Sequence, residues 1–136
     1  MSQFRPARVA QEMPPLRDPP PIGSERRAEP RLPTNSPARL FYGPGWKHWL
    51  DCTIKDRSTS GAKVQAPALF DLPNSLVLLD FQMGRAFEAQ LRWRKAELAG
   101  LWLQTSYELQ GLTDPAFAEI LATWRQLAPG FGFKVD

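Results

Sequence analysis

Hydrophobic and polar positions divide the chain into a patternless front, a long middle with a period of two, and a short end with a helical period. The two-residue alternation, which marks half-buried strands, begins at Ala38. A short strand is predicted over Ala38–Tyr42, followed by a turn at Gly43-Pro44-Gly45. A longer strand is predicted over Trp46–Lys55, with Leu50, Cys52 and Ile54 on one face and Asp51, Thr53 and Lys55 on the other. The segment Asp56–Ser60 interrupts it, and Gly61–Gln65 resumes with Ala62 and Val64 facing inward. Leu76–Asp80 is an apolar strand that begins after Pro73-Asn74. Beyond a turn at Met83-Gly84, Phe87, Ala89, Leu91 and Trp93 alternate with Glu88, Gln90, Arg92 and Arg94. A last strand over about Gly100–Thr105 turns Leu101 and Leu103 inward. Six short strands separated by turn signals predict a closed or nearly closed antiparallel barrel.

The period then changes. Asp114 is placed to cap a helix that has Pro115 at its first position. Phe117, Ile120, Leu121, Trp124 and Leu127 follow at helical spacing as one apolar stripe. Such a helix packs on the barrel or plugs an open end, and Trp124 is expected in the core. Pro129-Gly130 ends the helix and leaves Phe131 and Phe133 in an apolar tail over 129–136. At the other end, residues 1–23 carry Pro6, Pro14, Pro15 and Pro19-Pro20-Pro21 with too few apolar residues for a core, which predicts a disordered tail. Residues 24–37 hold Arg26, Arg27 and Arg31 among further prolines and are expected to form an extended arm. The fold class expected is therefore mainly β: a six-stranded antiparallel barrel over 38–128 with one C-terminal α-helix and a proline-rich N-terminal tail.

Composition narrows the function. A net charge of +3 over 136 residues is far from the strongly basic balance of a duplex-binding protein, so no DNA is expected. No apolar run is long enough to span a membrane, and the N-terminus has no apolar signal-like core, so a cytoplasmic domain is expected. Cys52, in phase with Leu50 and Ile54, reads as a small buried hydrophobe. His48, the sole histidine, stands among Trp46 and Trp49, where a structural role is expected. No metal-ligand spacing and no glycine-rich phosphate loop before a helix is present. Catalysis, a metal and a cofactor are therefore not expected.

Two segments do carry chemistry together. Asp56-Arg57-Ser58-Thr59-Ser60-Gly61 alone is an ordinary turn, and the arginines alone are a solvated basic run. In this order, one strand unit apart, they suit a planar, anionic guanine nucleotide. Arginine presents two donors to guanine O6 and N7 and grips phosphate bidentately. A carboxylate such as Asp56 accepts the adjacent donors of guanine's Watson–Crick edge. Ser58 supplies a rotatable hydroxyl, and Gly61 permits close approach of the backbone.

The order Arg-x-x-x-Arg (Arg27, Arg31), strand, Asp-x-Ser-x-x-Gly (Asp56, Ser58, Gly61) resembles the PilZ domain, a family of bacterial receptors for the second messenger cyclic di-GMP. Ala99-Gly100-Leu101-Trp102-Leu103 is similar to that family's closing strand. Arg26 matches the additional arginine that many members carry before the first motif. The resemblance implies a six-stranded barrel with a C-terminal helix, and a ligand held by Arg26, Arg27, Arg31, Asp56, Ser58 and Gly61. It also implies relay to a downstream protein, and Arg26 points to two stacked ligands per chain. Ser60 stands where members often have Gly, and Pro30 restricts the arm. Two other readings remain open: a PilZ-type adaptor that docks on motility or secretion machinery, and a barrel that binds single-stranded RNA through Trp46, Trp49, Arg92 and Arg94.

Overall fold

The structure, a computed structural model, describes residues 32–67 and 72–135. The proline-rich tail expected over 1–23, and Arg26, Arg27 and Arg31, lie outside the described residues. Six antiparallel strands, β1 (Leu32–Tyr42), β2 (His48–Arg57), β3 (Gly61–Gln65), β4 (Ser75–Asp80), β5 (Arg85–Lys95) and β6 (Leu98–Glu108), close into a barrel in the order β1-β2-β3-β6-β5-β4. A 3-10 turn at Pro115–Phe117 leads into one helix, α1 (Ala118–Leu127). Asp114 caps this turn, its Oδ1 accepting the Ala116 N–H at 3.0 Å.

Two differences from the alternation reading have physical causes. β1 starts at Leu32 and not at Ala38, so residues 32–37 of the expected arm are strand. Their prolines, Pro33 and Pro37, lack an N–H, and proline is tolerated where a strand has an open edge. β4 pairs with β1 only over Ala38–Phe41, which leaves the first half of β1 open on that side. Trp93, expected inward, faces out. The β5–β6 register shifts between Leu91 and Trp93, so Arg92 is an extra residue and Trp93 comes to oppose Gly100. A Cβ on Gly100 would lie 2.1 Å from the Trp93 indole nitrogen, so the ring lies over a position that only glycine can occupy.

The core has two parts. Inside the barrel, Leu40, Ile54, Val64, Leu76, Leu78, Leu91 and Leu101 are buried together with Phe87, Leu72, Leu103 and several smaller residues. Outside it, Phe41, Val77, Leu79, Phe81 and Ala86 meet Phe117, Ile120, Trp124 and Ala128. The helix therefore packs on the outer face of β1, β4 and β5 and does not plug an end. β4 is buried on both faces, which is why Leu76–Leu79 reads as a continuous apolar run. Burial of Ile120 contributes about 1.5–3 kcal/mol and, with the buried ring of Trp124, holds the helix in place. Phe131 meets Phe81 with tilted rings 5.1 Å apart, and Phe133 packs against the same outer cluster, so the C-terminal residues lie back on the domain. Among the described residues, the opposite outer face, formed by β2, β3 and β6, carries no helix.

Candidate functional site

Along β2, Cys52 and Ile54 point into the barrel. Simple alternation would send Asp56 in after them, opposite Ala62, into apolar surroundings. A register shift between Ile54 and Asp56 prevents this. With Lys55 as an extra residue, Asp56 pairs with Lys63 and Arg57 pairs with Ala62. A one-residue slip exchanges the faces of a strand, so Asp56 stands on the outer surface and Arg57 takes the inward place. Asp56 Oδ2 lies 3.4 Å from Lys63 Nζ. On the other side of β2, the register with β1 shifts between Pro33 and Ser36. There Lys55 Nζ donates to Asn35 Oδ1 at 2.7 Å. The bulge that aims Asp56 is thus fastened to both neighbouring strands.

Arg57 crosses the end of the barrel where β1 and β4 do not pair. Its guanidinium bonds the fully buried Asp80 at the end of β4. The other Asp80 oxygen accepts the backbone N–H groups of Gln82 at 3.0 Å and Met83 at 3.1 Å. Four lone-pair sites on a buried carboxylate need such partners, because an unpaired one is costly to bury. One Arg–Asp pair therefore ties the Asp56–Gly61 segment to the turn after β4. That turn in turn touches α1, with Gly84 beside Trp124. Nothing in the spacing of Asp-x-Ser-x-x-Gly pointed to Arg57.

The loop itself is shorter than expected: Asp56 and Arg57 still belong to β2, and Ser58–Ser60 make the turn. The Ser58 N–H donates to the Gly61 carbonyl at 2.8 Å, and the Leu103 N–H donates to the Ser60 carbonyl at 2.8 Å. Gly61 opposes Trp102 on β6. Beside the loop an open groove of about 530 Å³ is lined by Pro33, Lys55, Asp56, Lys63, Gln65 and Leu98. Its volume is within the range of about 300–1,000 Å³ typical of ligand pockets. Asp56 lines this groove, while Ser58 and Gly61 form the adjacent turn. The start of β1 closes one side, since Leu32 pairs with Arg57 and Pro33 with Asp56.

The residues of the RNA reading are not brought together. Trp49 lies on β2, and Arg92 and Arg94 lie on β5, which stands three positions away in a six-strand ring and hence across the barrel. Arg39 stacks on the Trp49 ring at 3.6 Å and pairs with Asp51 at 2.6 Å. His48 stacks on Tyr42, its cross-strand partner, at 5.6 Å. Cys52 is buried, and that burial, followed by the charges of Asp51 and Asp80, pushes its thiol far above the usual value. A protonated thiol is a poor nucleophile. Among the described residues, no group of three or more His, Cys, Asp or Glu side chains could hold a metal ion. Among the described residues, no helix is long and apolar enough to cross a membrane.

Fold and groove together define a small closed β-barrel with a groove on its outer surface that two lysines and one carboxylate line. The family model described as the PilZ domain matches residues 25–121. The chain therefore belongs to the PilZ domain family, a family of cyclic di-GMP receptors whose domains are generally non-catalytic. A search of the curated proteins finds no matching relative.

Proposed function

We propose that this chain binds cyclic di-GMP between Arg26, Arg27 and Arg31 on one side and Asp56, Ser58 and Gly61 on the other, and relays that binding to a partner protein. The observation that carries the reading is the bulge at Lys55. It is a local departure from a regular strand, and it turns the Asp56 carboxylate out of the core to the groove. Chain continuity supports the rest, because Arg31 immediately precedes Leu32, whose backbone pairs with Arg57. Guanine's N1–H and exocyclic amine match the two oxygens of an outward carboxylate, and arginine forks match its O6 and N7. Three arginines within six residues suit the four charges of two stacked ligands, whose repulsion needs cations close by.

Calorimetric titration with cyclic di-GMP tests this reading. Wild-type protein should bind, and Arg27→Ala or Arg31→Ala should each weaken binding by about 1.5–3 kcal/mol, the range for charge-assisted hydrogen bonds. Circular dichroism should be unchanged, because charged arginine side chains are rarely built into a core. Wild-type protein that does not bind, or both variants binding as tightly as wild type, would refute the assignment.

A further inference from the structure

We infer that Lys55 and Lys63 form a phosphate-binding wall of the groove, and that Lys63 passes from Asp56 to a ligand phosphate when guanine takes the carboxylate. This rests on the cyclic di-GMP reading above and goes beyond it by assigning two binding residues outside both motifs.

Among the groove's lining residues, Lys55 and Lys63 are the cations and Asp56 is the one carboxylate. Both lysines owe their place to the same bulge. Lys55 is the extra residue itself, and Lys63 becomes the cross-strand partner of Asp56 only because of the shift. A groove built only to receive a base edge on Asp56 has no use for cations on its walls. One that receives a base together with its phosphates does. Pro33 and Leu98 add apolar surface, as a flat ring requires.

Lys63 is held loosely. Its Nζ is 3.4 Å from Asp56 Oδ2, longer than a normal N–H···O bond, and its side chain is 39% exposed. Such pairs contribute little to stability. Two adjacent guanine donors fit a carboxylate's two oxygens better than one ammonium does. Displaced from Asp56, the ammonium stays in the groove on a flexible four-carbon stem. The anion then nearest to it is the ligand's phosphate. Lys55 is already oriented by Asn35 at 2.7 Å and keeps two further donors for an incoming oxygen.

The test is titration of cyclic di-GMP into the full chain at several salt concentrations, for wild type, Lys55→Met, Lys63→Met, Lys63→Arg and Arg27→Ala. Methionine keeps the apolar stem and removes the charge, and thermal melts establish that each variant is folded. Each Met variant should bind about tenfold more weakly. Each should also show a shallower salt dependence, since one charge–phosphate attraction fewer is left for added salt to screen. Lys63→Arg should retain most of the affinity. Unchanged or tighter binding by either Met variant overturns the inference, and tightening of Lys63→Met would mean that Lys63 only competes with guanine for Asp56. Weaker binding with an unchanged salt slope overturns it as well, because that is the mark of a purely structural role. If wild type itself does not bind, the cyclic di-GMP reading fails and this inference with it. If wild type binds and Arg27→Ala does not, while the Met variants match wild type, only the inference fails.

Discussion

Replacement of Arg57 by Met tests the architecture that presents the site. The substitution keeps an unbranched apolar stem and deletes the guanidinium that bonds Asp80. Asp80 is completely buried and would retain two backbone donors, from Gln82 and Met83. It would have lost its cation. Removing one partner of a buried ion pair costs about 3–5 kcal/mol. Arg57 is itself 19% exposed, and two donors remain on Asp80, so the lower end, about 3 kcal/mol, is expected. With a urea slope of about 1–3 kcal/mol per molar, the unfolding midpoint should fall by about 1–3 M. A second substitution isolates the cause. Asp80→Asn in the Arg57→Met background removes the stranded charge while its amide oxygen still accepts the two N–H groups. The double variant should regain about 1–2 kcal/mol over Arg57→Met, because the cost lies in the unpaired charge and not in lost packing. The assay is urea denaturation followed by tryptophan fluorescence and circular dichroism. Arg57→Met within about 0.5 kcal/mol of wild type, the scatter of neutral surface changes, would refute the reasoning. So would a double variant no more stable than the single one.

Gly100→Ala should destabilise the barrel by about 1–3 kcal/mol, because its Cβ would meet the Trp93 ring at 2.1 Å; a thermal melt checks it, and an unchanged midpoint would show that the ring is not seated there. Cys52 should resist iodoacetamide in the native protein and react readily in urea. Its thiol is raised in the folded state by burial first and by Asp51 and Asp80 next, so its contribution to stability is full below the ordinary thiol value of about 8.5 and declines as pH rises above it. Urea midpoints measured against pH should therefore fall on the alkaline side less steeply for Cys52→Ala than for wild type. Cyclic di-AMP should bind far more weakly than cyclic di-GMP, since adenine offers a donor where guanine has O6 and lacks the N1–H and N2 donors for Asp56; equal affinities in competition would show that charge and stacking dominate. Saturation should come at about two ligands per chain, falling toward one in Arg26→Ala, and a wild-type endpoint of one would return Arg26 to solvent.

The alternation of Leu50, Cys52 and Ile54 with polar neighbours was enough to identify β2, and similar patterns identified the other strands and the helical stripe of Ile120 and Trp124. Those signals are local, because a side chain's face follows directly from a period of two or 3.6. Residue type and spacing also singled out Asp56, Ser58 and Gly61, of which the structure places Asp56 at the groove and the other two in the adjacent turn. Register was not legible. Whether Asp56 faces the core or the groove depends on one extra residue at Lys55, and whether Trp93 faces in or out depends on one at Arg92. A bulge is a relation between two strands, and neither strand's own pattern contains it. The pairing of Arg57 with Asp80, across 23 residues of sequence, and the meeting of Lys55, Lys63 and Leu98 at one groove are of the same kind. The chain's own order of side chains determined that a barrel forms and which residues could bind an anion. Closure of that barrel decided which of them share a surface, because only the pairing of distant strands brings them within reach.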